Sequence, residues 1–147
     1  KKKLMDMFAA ITESRAHKGI PEKVSVIDRW SALMYMRTFY AKPPVGDIEF
    51  ERTFGRNCAT CHGKRGHGDG PLSKTLVPQP ANFTSLERMF ERSDQEIFDI
   101  ISKGAYPSAM PPWADVEGMK NPAERWKFVD YVRTLGYKTV KIEKEEE

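Results

Sequence analysis

At 147 residues the chain has material for one modest hydrophobic core and an extension, but not for two full average domains. Its 39% hydrophobic and 31% charged residues are those of an ordinary soluble protein, with no apolar run approaching a membrane span. A net charge of +3, without base-stacking aromatics interleaved along a basic stripe, argues against a nucleic-acid partner.

That charge is unevenly placed. Residues 1–46 carry nine Lys/Arg against four Asp/Glu, residues 47–138 carry thirteen of each, and residues 139–147 carry two Lys against four Glu. The opening Lys1-Lys2-Lys3-Leu4-Met5-Asp6 has an acid inside its short apolar run and no small-residue cleavage site, so it does not read as a signal peptide. The expectation is a removed leader or anchor, or a longer parent chain. An amphipathic helix is predicted over about 3–15, with Leu4, Met7, Phe8 and Ile11 on one face, and a second over about 26–40 capped by Ser25 and Asp28. Such a hairpin cannot bury both faces by itself, so it must pack on the rest of the chain or on a partner chain. Ala41-Lys42-Pro43-Pro44-Val45-Gly46 is a semi-rigid linker.

Residues 47–57 form a short helix with Phe50 and Phe54 one turn apart. Directly behind it stands Cys58-Ala59-Thr60-Cys61-His62, the attachment signature of a covalent c-type haem. Each thiol can form a thioether to one porphyrin vinyl group, and the adjoining imidazole is then held beneath the iron. Thiol–disulfide and zinc readings of Cys-x-x-Cys are weaker here. No βαβ context surrounds the motif, no further cysteine exists, and His17 and His67 are too scattered to complete a tetrahedron. Both cysteines are then consumed as thioethers.

Residues 63–84 are mostly Gly, Pro and polar residues and read as a loop, with His67 in a mobile surface turn. Ser93-Asp94-Gln95-Glu96 is a capping box opening a helix that Gly104 closes, with Ile97, Ile100 and Ile101 facing the core. The following Gly104–Trp113 run holds Met110 between prolines. A stiff loop presents a thioether sulfur to iron at small entropic cost, so Met110 is favoured as sixth ligand over Met119, which lies in a softer run. Asn121 caps the last helix, Pro122 takes its first position, Glu124 completes the box and Gly136 ends it. Phe128, Tyr131, Val132 and Leu135 line its buried face. The Glu-rich tail, residues 139–147, is expected to be disordered. No run alternates like a strand, so the chain reads as all-α.

Taken in order, Cys58–Gly63, Gly68-Asp69-Gly70-Pro71-Leu72, Pro80-Ala81-Asn82-Phe83-Thr84, Met110-Pro111-Pro112-Trp113 and Glu124-Arg125-Trp126 resemble a class I c-type cytochrome over about residues 47–138. The resemblance implies a small helical fold around one haem c, with His62 and Met110 as axial ligands. It implies that the Pro71 carbonyl accepts from the His62 ring N–H. In such a fold Phe83 closes the pocket, and Trp113 or Tyr106 hydrogen-bonds a haem propionate. One departure is visible. The family has a small residue eight positions before the first cysteine, where the first and last helices cross, and here it is Phe50.

Asp28–Phe39 aligns with Glu124–Leu135, with Arg, Trp, Tyr, Arg and Thr identical at a constant offset. Upstream, with one short gap, Phe8 and Ile11 match Phe98 and Ile101, and the same register puts Ile20-Pro21 opposite Met110-Pro111. Residues 4–40 thus look like the back half of a second, haem-free cytochrome domain. The implied domains are residues 1–46 (extension and linker), 47–138 (haem domain) and 139–147 (tail). The expected function is single-electron transfer between redox partner proteins, docked to or part of a respiratory complex. The site is expected to be periplasmic or otherwise extracytoplasmic, with Arg56, Lys64, Arg65 and Lys74 placed to steer an acidic partner. The alternative is a haem enzyme or a gas or redox sensor in which the methionine leaves the iron.

Overall fold

The computed structural model of the chain describes residues 8–10, 12, 24–37, 46–85, 88–89 and 91–145. Among these, regular structure is helical and no strand occurs. The helices are α1 (Val26–Arg37), α2 (Ile48–Asn57), α3 (Ala59–His62), α4 (Asp94–Lys103) and α5 (Pro122–Glu145), with a 3-10 turn at Ser73–Thr75. Most of the helix expected over 3–15 lies outside the described residues, although 8–10 and 12 are helical. Residues 38–45, and with them nearly all of the linker, lie outside them too, as do His17 and Ile20.

Helices α1, α2, α4 and α5 open on side-chain caps, whereas the one-turn α3 has none. Ser25 Oγ accepts from Asp28 N at 3.1 Å ahead of α1, and Asp47 accepts from Phe50 N at 3.1 Å ahead of α2. The Ser93 box is reciprocal: Ser93 Oγ accepts from Glu96 N at 3.2 Å, and Ser93 N donates to the Glu96 carboxylate at 2.6 Å. Asn121 accepts from Ala123 N at 2.9 Å and opens α5. Glu124, expected to complete that box, instead pairs with Lys127 at 2.9 Å.

Two expectations about the C-terminus are corrected. Gly136 does not end the last helix but lies buried within it, and α5 continues to Glu145. A glycine inside a helix costs only about 1 kcal/mol, and the Lys and Glu residues that follow are strong helix formers. The stretch expected to be disordered is therefore helical through Glu145, with 146–147 outside the described residues.

The core gathers Phe50 and Phe54 of α2, Ile97 and Ile101 of α4, and Phe128, Val129, Val132 and Leu135 of α5, together with Met89 and Met119. Where the family brings two backbones together at a small residue, this chain interposes rings. Phe50 lies 4.3 Å from Phe128 and 5.1 Å from Tyr131 between centroids, and Phe54 lies 4.9 Å from Tyr131. Edge and tilted aromatic contacts of this kind hold helices at ring distance. Arg133, whose side chain is 1% exposed, ties the segment before α4 to α5. It binds Asp94 Oδ1 at 3.1 Å, the Arg92 carbonyl at 2.6 Å and the Met89 carbonyl. Helix α1 packs along α5, and its Trp30 and Leu33 are buried. No helix among the described residues is long and apolar enough to cross a membrane.

Candidate functional site

Helix α3 is a single turn, and its position depends on the loop that follows. Cys58 joins it to α2, donating its N–H to Phe54 O at 2.9 Å and accepting from His62 N at 2.9 Å. A one-turn helix leaves its carbonyls unpaired unless something else donates to them. The loop supplies the donors. Gly63 N bonds Ala59 O at 2.8 Å, Gly68 N bonds His62 O at 2.9 Å, Gly70 N bonds Cys61 O at 3.1 Å and Leu72 N bonds Thr60 O at 3.1 Å. Gly70 passes so close that a Cβ there would lie 2.4 Å from Thr60 O and 2.6 Å from Ala59 O. The glycine-rich stretch read as a loop is thus the clamp on the Cys-x-x-Cys-His turn.

His62 Nδ1 lies 3.0 Å from the Ala81 carbonyl. A carbonyl only accepts, so Nδ1 carries the proton and Nε2 keeps the lone pair that a metal needs. This corrects the expected acceptor: the ring N–H bonds Ala81, not Pro71, which is exposed on the surface. Phe83 stacks on the imidazole, centroids 4.4 Å apart and planes 19° apart. Its own N–H is held by Gly66 O at 2.6 Å. Burial lowers the His62 pKa, opposed by the Ala81 bond. Burial also pushes the Cys58 thiol up to about 12, with the nearby Cys61 adding to the rise. Cys58 and Cys61 are free thiols. A thiol–disulfide nucleophile works as the thiolate, which burial of Cys58 disfavours. Among the described residues, no group of three or more His, Cys, Asp or Glu gathers to hold a metal ion.

The second ligand candidate sits on a loop closed on itself. Gly104 ends α4 at φ +78, and a Cβ there would meet Met110 O at 2.8 Å and Pro112 N at 3.0 Å. Ala105 N donates to Met110 O at 3.1 Å, Met110 N to Ser108 Oγ at 3.3 Å, and Trp113 N to Ile101 O at 3.1 Å. Met110 is half-buried and packs against the core. Its competitor Met119 is 0% exposed, a core residue whose carbonyl accepts from Arg125 at 2.6 Å. The aromatics divide in the same way. Trp113 packs against the core, whereas Tyr106 is 99% exposed and walls nothing. His67 bonds Thr84 Oγ1 at 3.2 Å on the surface. Arg56, Lys64, Arg65 and Lys74 are all exposed.

Sequence reasoning missed Ala81, because any residue supplies a carbonyl and only the loop path selects this one. It also missed the clamp, although the Gly66-x-Gly68-x-Gly70 spacing is a signal of close backbone approach.

These donors fit a covalently attached haem: two free thiols on one turn, an imidazole with Nε2 free for iron, and a thioether on a braced loop. Residues 48–132, more than half of the chain, match the family described as cytochrome C oxidase, cbb3-type, subunit III. Among solved structures, a chain of the Kuenenia stuttgartiensis reducing HAO-like protein complex Kustc0457/Kustc0458 is 31% identical, with a TM-score of 0.48. That match covers 60% of this chain and 41% of the other, so this chain spans less than half of that one's length. No match was found among curated proteins.

Proposed function

We propose, from the premise that this chain belongs to the family of cytochrome C oxidase, cbb3-type, subunit III, that it passes single electrons through one haem ligated by His62 and Met110. It is a class I c-type cytochrome, and haem c is its covalent cofactor. When bound, the haem supplies a one-electron ferric/ferrous couple that side chains lack. The chain's own residues do the rest. Cys58 and Cys61 anchor the group, and Ala81 fixes the tautomer of His62. Met110 closes the remaining coordination position, and Phe83 stacks on the His62 ring. A thioether ligand favours the ferrous state and raises the potential. The observation that carries this reading is the Nδ1 bond of His62 to Ala81, which leaves Nε2 for iron on the same turn as two free thiols.

The function is electron transfer between protein partners, with the chain docked to or part of a respiratory complex. The attachment chemistry places the site in an extracytoplasmic compartment, the periplasm in a bacterium. The exposed Arg56, Lys64, Arg65 and Lys74, near the attachment turn in sequence, suit an acidic donor or acceptor at low salt.

Carbon monoxide added to the reduced protein tests the ligation. Saturated coordination gives a slow, partial spectral change and a sulfur-to-iron charge-transfer band at the red end of the oxidised spectrum. Met110→Ala should remove that band and admit carbon monoxide at once. A prompt, complete shift in the parent protein would replace this reading with that of a haem enzyme or gas sensor.

A further inference from the structure

The sequence repeat between the extension and the haem domain is also a repeat of geometry. In the haem domain Phe98 stacks on Trp126, centroids 4.6 Å and planes 18° apart, and the Arg125 guanidinium lies 5.3 Å from the Phe98 centroid. In the extension Phe8 stacks on Trp30 at 3.9 Å and 11°, and the Arg29 guanidinium lies 5.3 Å from the Phe8 centroid. Both arginines are 7% exposed. Chance resemblance of two amphipathic helices would give matching letters but not a matching buried Arg–Phe–Trp stack.

The register then says what each side of α1 faces. In α5, Phe128, Tyr131 and Val132 form the side covered by the helix that leads into Cys-x-x-Cys-His. Phe50 lies against Phe128 and Tyr131, Phe54 against Tyr131, and Val132 is buried. Their counterparts on α1 are Ala32, Tyr35 and Met36. These are exposed, Tyr35 by 55% and Met36 by 40%, while Leu33, the counterpart of Val129, is buried. The haem domain therefore contains the template for what covers this apolar side.

We infer that the Ala32/Tyr35/Met36 face of α1 docks an amphipathic helix leading into a haem-bearing Cys-x-x-Cys-His turn on a partner polypeptide, which complements the extension as the missing half of a second haem domain. By register Ile20 stands where Met110 stands, so the docked haem receives no sulfur from that position. The inference rests on the repeat and holds whichever residue ligates the resident iron.

The test uses the full haem-loaded chain and, as probe, the haem-bearing peptide of residues 47–72 excised from this same protein. That peptide carries the covering helix and the attachment turn. Titration calorimetry should show saturable binding, with slowed amide exchange confined to residues 26–37. Met36→Asp, at an exposed position, should leave the melting temperature and the resident haem spectrum unchanged while weakening binding at least about tenfold. Absence of saturable binding overturns the inference, as does binding that Met36→Asp leaves untouched. Sedimentation showing that the chain alone pairs through this face, with Met36→Asp returning it to monomer, would make a second copy the occupant and also overturn it.

Discussion

Replacing Gly70 by alanine isolates the clamp on the haem-attachment turn. The φ of Gly70 is not in the left-handed region, so space rather than backbone strain decides the outcome. The added Cβ is fixed by the backbone and has no rotamer to escape into. It would lie 2.4 Å from Thr60 O, 2.6 Å from Ala59 O and 2.6 Å from Thr60 C, all backbone atoms. Restoring ordinary contact requires the loop to retreat by about 1 Å, which stretches its bonds from Gly68 to His62, from Gly70 to Cys61 and from Leu72 to Thr60. At about 0.5–1.5 kcal/mol net for each bond, the loss is about 2–4 kcal/mol. That corresponds to a melting temperature lower by on the order of 10 °C for a protein of this size. Thermal unfolding of the ferric protein, followed by far-ultraviolet circular dichroism and Soret absorbance, reads it directly. Gly55→Ala is the paired control: nothing lies within 4 Å of its Cβ, and Gly55 is inside α2. That change should stabilise by about 0.5–1 kcal/mol. A Gly70→Ala protein melting within about 2 °C of the parent would refute the argument.

Met119→Ala should destabilise by about 2–5 kcal/mol through cavity formation while leaving the red charge-transfer band intact; loss of that band would transfer the ligand role from Met110 to Met119. Arg133→Leu removes the guanidinium's bonds to Asp94 and to the carbonyls of Met89 and Arg92, and should cost about 3–5 kcal/mol in urea unfolding; a change below about 1 kcal/mol would show that the network contributes little. Tyr131 has its pKa raised above the ordinary 10.0 by burial first, then by Glu51. Its contribution to stability is therefore present below pH 10 and lost as pH rises through the higher folded value. Urea midpoints at about pH 8 and pH 11 should accordingly differ less in Tyr131→Phe than in the parent, and equal differences would remove Tyr131 from the account.

The local grammar of this chain was legible because it is written in side chains. Ser25, Ser93 and Asn121 cap their helices through their own oxygens, and Cys58, Cys61 and His62 announce haem by type and spacing alone. Met110 was preferred to Met119 on its flanking prolines. The sequence repeat was also visible, and Phe8, Arg29 and Trp30 stack in the same way as Phe98, Arg125 and Trp126.

Only the tertiary structure decided the rest. Every residue offers a carbonyl, so nothing in the letters distinguished Ala81 from Pro71 as the acceptor for His62; the path of the loop did. Phe50 could be recognised as too large for a backbone crossing, but not as a ring that would seat against Phe128 and Tyr131. Gly136 looked like a stop because glycine favours helix ends, yet its place inside α5 is set by helix on either side of it. Sequence patterns determine which bonds a residue prefers with its near neighbours. Contacts between segments distant along the chain are chosen by the whole fold, because packing selects among partners that are locally equivalent.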